Sequence, residues 1–123
     1  MLTTFPVNVF VRITDPERAR RFYEQVLGLA FEYDNEYVMV FRSGATQVIV
    51  QKVQEFAPIA PTVLGWEVKG IRNVVASLQS RGVTFVRYPG MEQDADGIWT
   101  SPAGRVAWFK DPDGNVLSVS EHP

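Results

Sequence analysis

Hydrophobic and polar positions alternate at the start of the chain. Val7, Val9, Val11 and Ile13 fall on one face of an extended segment, and Asn8, Phe10 and Arg12 fall on the other. The pattern then changes period. Ala19, Phe22, Tyr23, Val26 and Leu27 recur at helical spacing, giving one apolar stripe. Two starts fit this helix: Thr14 with Glu17 as a capping box, or Asp15 as N-cap with Pro16 as the first helical residue. Gly28 stands where a left-handed residue would end it. Strand-like runs follow at about 29–33, 37–42 and 46–53, separated by Asp34-Asn35-Glu36 and Ser43-Gly44.

Two prolines, Pro58 and Pro61, then break the periodicity and mark a connector. Beyond it the order repeats. Val63 to Val68 reads as a strand, and Ile71, Val74, Val75 and Leu78 form a helical stripe ending before Gly82. Val83–Tyr88 reads as a strand, a Gly- and Asp-rich loop runs to about Gly97, and Ile98–Thr100 adds a short strand. Arg105–Lys110 pairs with residues 115–120 across the turn Asp111-Pro112-Asp113-Gly114, in which proline presets φ and glycine completes the bend. Gly28-Leu29-Ala30-Phe31 and Gly82-Val83-Thr84-Phe85 take matching places after the two helices, which points to internal duplication. The expectation is an α+β fold. Two βαβββ modules, about 5–53 and 62–121 joined by a connector at 54–61, form a curved, mostly antiparallel sheet within a single domain over residues 1–123. Helices cover its outer face and a concave cavity lies opposite.

Composition narrows what such a cavity does. A chain of 123 residues with 46% hydrophobic content has enough for a real core, so disorder is not expected. A net charge of −2 argues against a nucleic-acid surface. There are no cysteines, which removes disulfides and thiolate chemistry. Neither a signal-peptide pattern at Met1–Pro6 nor an apolar run long enough for a bilayer is seen, so a cytoplasmic protein without membrane contact is expected. No nucleophile elbow and no Gly-rich phosphate loop occur.

Three stretches together resemble the vicinal oxygen chelate superfamily of glyoxalase I, bleomycin-resistance proteins and extradiol dioxygenases. They are VFVRITDPERARRFYEQVLGLAF, the doubled βαβββ pattern, and GRVAWFKDPDGNVLSVSE. The resemblance covers nearly the whole chain. It implies paired modules around a cavity, commonly completed in a homodimer. In metal-using members it also implies four ligands, His, Glu or Gln, two per module. Those positions fall here on Asn8, on Val50 or Gln51 (the register of 46–53 being open), on Val63, and on Ser118. None is His, Glu or Asp, and neutral amides are weak donors for first-row metals. No metal and no cofactor is therefore expected.

The remaining candidates are polar points in an apolar lining. Asn8, Phe10 and Arg12 line the first strand, and Gln47, Ile49 and Gln51 the fourth, since Val48 and Val50 suit the helix side. Val116, Ser118 and Ser120 line the last, Trp99 and Trp108 offer flat surfaces, and Met91 sits on a loop over the mouth. Trp108 and Phe10 have the plainer alternative of being core. Glu67 is a candidate general base, with a structural ion pair to Arg12 as its plainer role. His122, the single histidine, reads as a frayed tail residue.

Three readings follow. One is a metal-free protein that holds an aromatic or amphipathic organic molecule in the cavity, similar to the bleomycin-resistance proteins, a subgroup that the stretch Ser101–Arg105, SPAGR, also resembles. Cationic bleomycin itself is not favoured, because Arg12 faces the cavity and the net charge is small. The second is a lyase or dioxygenase using a divalent metal such as Fe, Mn, Ni or Zn, with ligands rebuilt from Gln51, Glu67 and His122. The third is an interaction module whose cavity is vestigial.

Overall fold

The computed structural model describes residues 2–55 and 61–123, so most of the expected connector lies outside the described residues. The chain divides into two compact units, 1–57 and 58–123. Each contains one four-stranded mixed sheet, and the whole is α+β.

In the first unit β1 (Asn8–Ile13) leads into α1 (Pro16–Arg20), which continues as a wider helical stretch, Arg21–Val26. Asp15 is the N-cap, its carboxylate accepting from the Arg18 N–H at 3.2 Å, and Pro16 opens the helix. The helix ends at Leu27, and Gly28 takes φ 72°, the left-handed conformation expected of it. Strands β2 (Ala30–Asp34), β3 (Val38–Ser43) and β4 (Thr46–Lys52) follow, and the order is β1-β4-β3-β2. Only β1 and β4 run parallel. Val11, Ile13, Phe41, Val48 and Val50 are buried on one face, where Tyr23 of the helix meets Phe41 with ring centroids 5.9 Å apart.

The second unit repeats the plan: β5 (Leu64–Glu67), α2 (Ile71–Ser80), β6 (Trp99–Ser101), β7 (Gly104–Lys110) and β8 (Val116–Glu121), in the order β5-β8-β7-β6. Again the first and last strands are the parallel pair. The turn between β7 and β8 is tied by the buried Asp111. Its carboxylate accepts from the N–H of Asp113 at 3.0 Å, the N–H of Asn115 at 2.8 Å and the Asn115 side-chain amide at 2.8 Å. Glu121 reaches back to the start of α2 and accepts from the N–H of Gly70 (2.8 Å) and of Ile71 (3.0 Å). A carboxylate at a helix N-terminus satisfies donors that have no partner inside the helix.

One expected strand is absent. Among the described residues, the backbone of 83–88 joins the sheet through a bridge between Phe85 and Phe109 and the bond from the Val86 N–H to the Trp108 carbonyl, and forms no strand. The side chain of Gln93 takes the place of a neighbouring strand. Its carbonyl accepts from the Tyr88 N–H at 2.7 Å, and its amide donates to the carbonyls of Val86 (2.9 Å) and Gly97 (2.8 Å). The short strand that does form, β6, is one residue beyond the expected Ile98–Thr100.

Candidate functional site

The helix-free face of the first sheet carries the residues that alternation assigned to it. Asn8, Phe10 and Arg12 of β1 stand directly beside Gln47, Ile49 and Gln51 of β4, because the parallel register pairs them one to one. The same register answers the question left open for 46–53: Val50 is buried under the helix, and Gln51 lies on the free face. Val38 of β3 is the partner of Gln51 on its other side. Arg12, Gln51 and Val38 thus form a row across three strands, with neighbours about 4.8 Å apart.

This row borders a hollow of about 570 Å³ lined by Arg12, Tyr37, Val38, Gln51, Lys52, Val53 and Glu55. Asn35 positions Tyr37 and Val38 by accepting from their N–H groups at 2.8 and 2.9 Å, and Tyr37 is 72% exposed. Lys52 is held by the Asp34 carboxylate and the Asn35 carbonyl. The Gln51 amide has no hydrogen-bond partner among the described residues. Of the expected ligand contacts, the hollow brings together Arg12 and Gln51. Asn8, Phe10 and Gln47 share their face but lie further along the strands, outside this lining. Tyr37, Lys52 and Glu55 are additions that alternation did not single out. The turn signal Asp34-Asn35-Glu36, which delivers Tyr37 to the sheet end and holds Lys52, is the clue to those two; nothing in the sequence points to Glu55.

The second sheet gathers the other candidates. Glu67 and Ser120 are register partners, as are Gly65 and Ser118, and Trp108 lies opposite Ser118. Trp108 is flanked by Tyr88 (centroids 5.5 Å, edge-on) and Trp99 (6.3 Å, tilted), so the two tryptophans form one half-buried cluster with Tyr88. Ser118, where the resemblance puts a metal-ligand position, is buried, and its Oγ occupies the space that a Cβ on Gly65 would need.

His122 is not frayed. Its N–H donates to one oxygen of Glu67 at 2.8 Å, and its Nδ1 lies 2.7 Å from the other, which also accepts from the Ser120 hydroxyl at 3.4 Å. The backbone N–H of His122, and next its imidazole, hold the Glu67 carboxyl below the usual glutamate range. His122 and Glu121 also border a hollow of about 320 Å³ whose wall includes Ser101, Gly104 and Arg105 of the SPAGR stretch. Arg105 pairs with Glu121 at 2.9 Å. A Cβ on Gly104 would lie 2.6 Å from the Glu121 carbonyl and 2.9 Å from the His122 ring, so this glycine permits the close approach of the chain's last strand.

The donor set does not fit the divalent metal that the superfamily resemblance implies. Asn8 and Gln51 offer neutral amides, Val63 offers nothing, and Ser118 offers a buried hydroxyl. Among the described residues no three His, Cys, Asp or Glu side chains are grouped to hold a metal ion. No helix among them is long and apolar enough to cross a membrane.

Two mixed sheets of this order, each with a helix on one face, define an α+β class that comparison with known proteins narrows further. The chain belongs to the Glyoxalase/Bleomycin resistance protein/Dioxygenase superfamily, whose family model matches residues 6–119. No curated protein matches it. Its fold is shared with TnmS3, an antibiotic binding protein from Streptomyces sp. CB03234 (TM-score 0.76, 23% identity, 100% of this chain and 99% of that one). It is shared equally with a glyoxalase family protein from Bacillus anthracis (TM-score 0.75, 19% identity, covering 96% and 94%). A superfamily member from Sphaerobacter thermophilus has a TM-score of 0.73 at 23% identity, covering 99% and 100%.

Proposed function

We propose that the protein binds a small aromatic or amphipathic organic molecule on the helix-free face of its sheets, without a metal. The observation that carries this reading is the row Arg12–Gln51–Val38 opening on the hollow, where an amide with no partner among the described residues stands between a cation and an apolar side chain. Binding sites are concave and oriented by a few placed polar groups; this hollow sets Tyr37, Val38 and Val53 beside Arg12 and Gln51, in a lining more polar than such sites usually have. The likeness of fold to an antibiotic binding protein agrees with it. Phe10, Asn8 and Gln47 along the first sheet would extend its contact surface; Glu67, Trp99, Trp108, Ser118 and Ser120 are the candidate contacts of the second sheet by itself. The two units would act as one domain, the protein as a cytoplasmic homodimer.

A thermal-shift screen of planar aromatic compounds against chelator-treated protein tests the reading, with elemental analysis alongside. Saturable stabilisation of metal-free protein is the expected result. Near-stoichiometric Mn, Fe, Ni or Zn retained after chelation, with no organic ligand found, would overturn it in favour of a lyase or dioxygenase. Sedimentation equilibrium tests the dimer.

A further inference from the structure

We infer that the hollow at the end of the first sheet selects an aromatic carboxylate, an inference that rests on the small-molecule reading above. Arg12 and Gln51 are register partners on adjacent parallel strands, so their side chains leave the same face about 4.8 Å apart. A guanidinium and a primary amide at this spacing suit the two oxygens of one carboxylate. The guanidinium carries five N–H donors in a fixed fork, so it can take a carboxylate alongside the contacts Arg12 makes within the protein. The amide is the independent pointer: Gln51 is half-buried at the hollow, and its side chain meets no protein acceptor or donor among the described residues.

The rest of the lining fits the other end of such a molecule. Val38 continues the row on the side away from Arg12, Val53 adds a second apolar side chain, and the Tyr37 ring stands exposed at the rim. A ring laid on Val38 and Tyr37 would place its carboxylate toward Gln51 and Arg12. The two other charges in the lining act differently. Lys52 is committed to Asp34 and the Asn35 carbonyl, so it shapes the wall and supplies little net attraction. Glu55, exposed at the mouth, opposes an anion and lowers its affinity.

Calorimetric titration with three probes of one shape tests this: 2-naphthoate, 2-naphthamide and 2-naphthylmethylammonium. Naphthoate is expected to bind more tightly than the other two. Arg12→Gln should weaken it about tenfold, the size of one charge-assisted hydrogen bond, with Arg12→Lys recovering part of the loss. Glu55→Gln should tighten naphthoate several-fold and leave the amide unchanged. Tyr37→Ala should weaken naphthoate and amide alike. Unchanged melting temperatures in these variants would show that the fold is intact. Equal or tighter binding of the amide or the ammonium would overturn the carboxylate and leave a small-molecule site. No binding of any probe, with the wider aromatic screen also blank, would overturn both.

Discussion

Glu67 and His122, 55 residues apart in the chain, meet twice: the imidazole Nδ1 lies 2.7 Å from one carboxylate oxygen, and the backbone N–H donates to the other at 2.8 Å. The pair fastens the segment after β8 to the end of β5, where the parallel ladder itself stops at Glu67 and Ser120. It also fixes the Glu67 carboxyl in its ionised form, because both contacts favour the anion.

A pH dependence follows from the sign of that shift. A carboxyl whose folded pKa lies below its unfolded value of about 4.3 stabilises the fold above that value, and the gain is lost as pH falls through the lower folded pKa. Glu67→Gln should therefore melt below the parent protein at pH 7, and the gap should close on acidification below about pH 4. His122→Ala keeps the backbone contact and loses the imidazole, so it should raise the Glu67 pKa part of the way to the ordinary value. Carbon-detected NMR of the Glu67 carboxyl reads this directly.

Gly65→Ala should be costly in spite of the exposed position of this residue. The added methyl overlaps the Ser118 Oγ and presses on the Ser118 carbonyl, 3.3 Å away. Overpacking of this kind costs about 1–3 kcal/mol. Ser118→Ala should be mild alone and should recover part of the loss in the double variant, a coupling that a denaturation cycle measures.

Asp111→Ala should rank among the most damaging single changes in the second unit. It strips acceptors from the N–H groups of Asp113 and Asn115 and from the Asn115 amide, and two of these three donors belong to a buried residue. Buried donors without partners cost about 1–3 kcal/mol each. The loss should appear as a lower denaturation midpoint with an unchanged slope.

Gln93→Ala should loosen residues 83–98 and leave the sheet intact. One side chain satisfies the Tyr88 N–H and the carbonyls of Val86 and Gly97, which no strand covers. Hydrogen exchange should quicken at Tyr88, with β7 and β8 unaffected. Arg72, bridging Asp94 and Asp96 at 3.0 and 2.9 Å, supports the same loop from α2. Its exposure keeps the effect of Arg72→Ala small.

Much of this architecture was legible because it is local. The alternation in residues 7–13, Pro16 and Gly28 at the two ends of a helix, and the Asp111–Gly114 turn are each written in a few adjacent residues. Alternation also placed Arg12 and Gln51 on the free face, since a strand's parity survives uncertainty about its partners. Residues 83–88 misled for the matching reason: their apolar pattern is that of a strand, but pairing was replaced by one glutamine in the following loop. Tyr37 escaped because the run 37–42 gives it the core parity of Met39 and Phe41, whereas the strand begins at Val38 and leaves it exposed; Glu55 lies past the end of β4 and has no parity to read. His122 escaped because nothing near it in the chain announces Glu67.

The parallel pairing of first and last strands has a consequence for how the chain comes to fold. Thr46–Lys52 closes against Asn8–Ile13, and Val116–Glu121 against Leu64–Glu67, so each sheet is completed by its most recently synthesised strand. These are the contacts of greatest loop-closure entropy in each unit, and they make assembly slow for the chain's size. On the ribosome, β5 waits unpaired for nearly the whole of the second unit to emerge, and chains stopped before Val116 expose it as an open edge for aggregation.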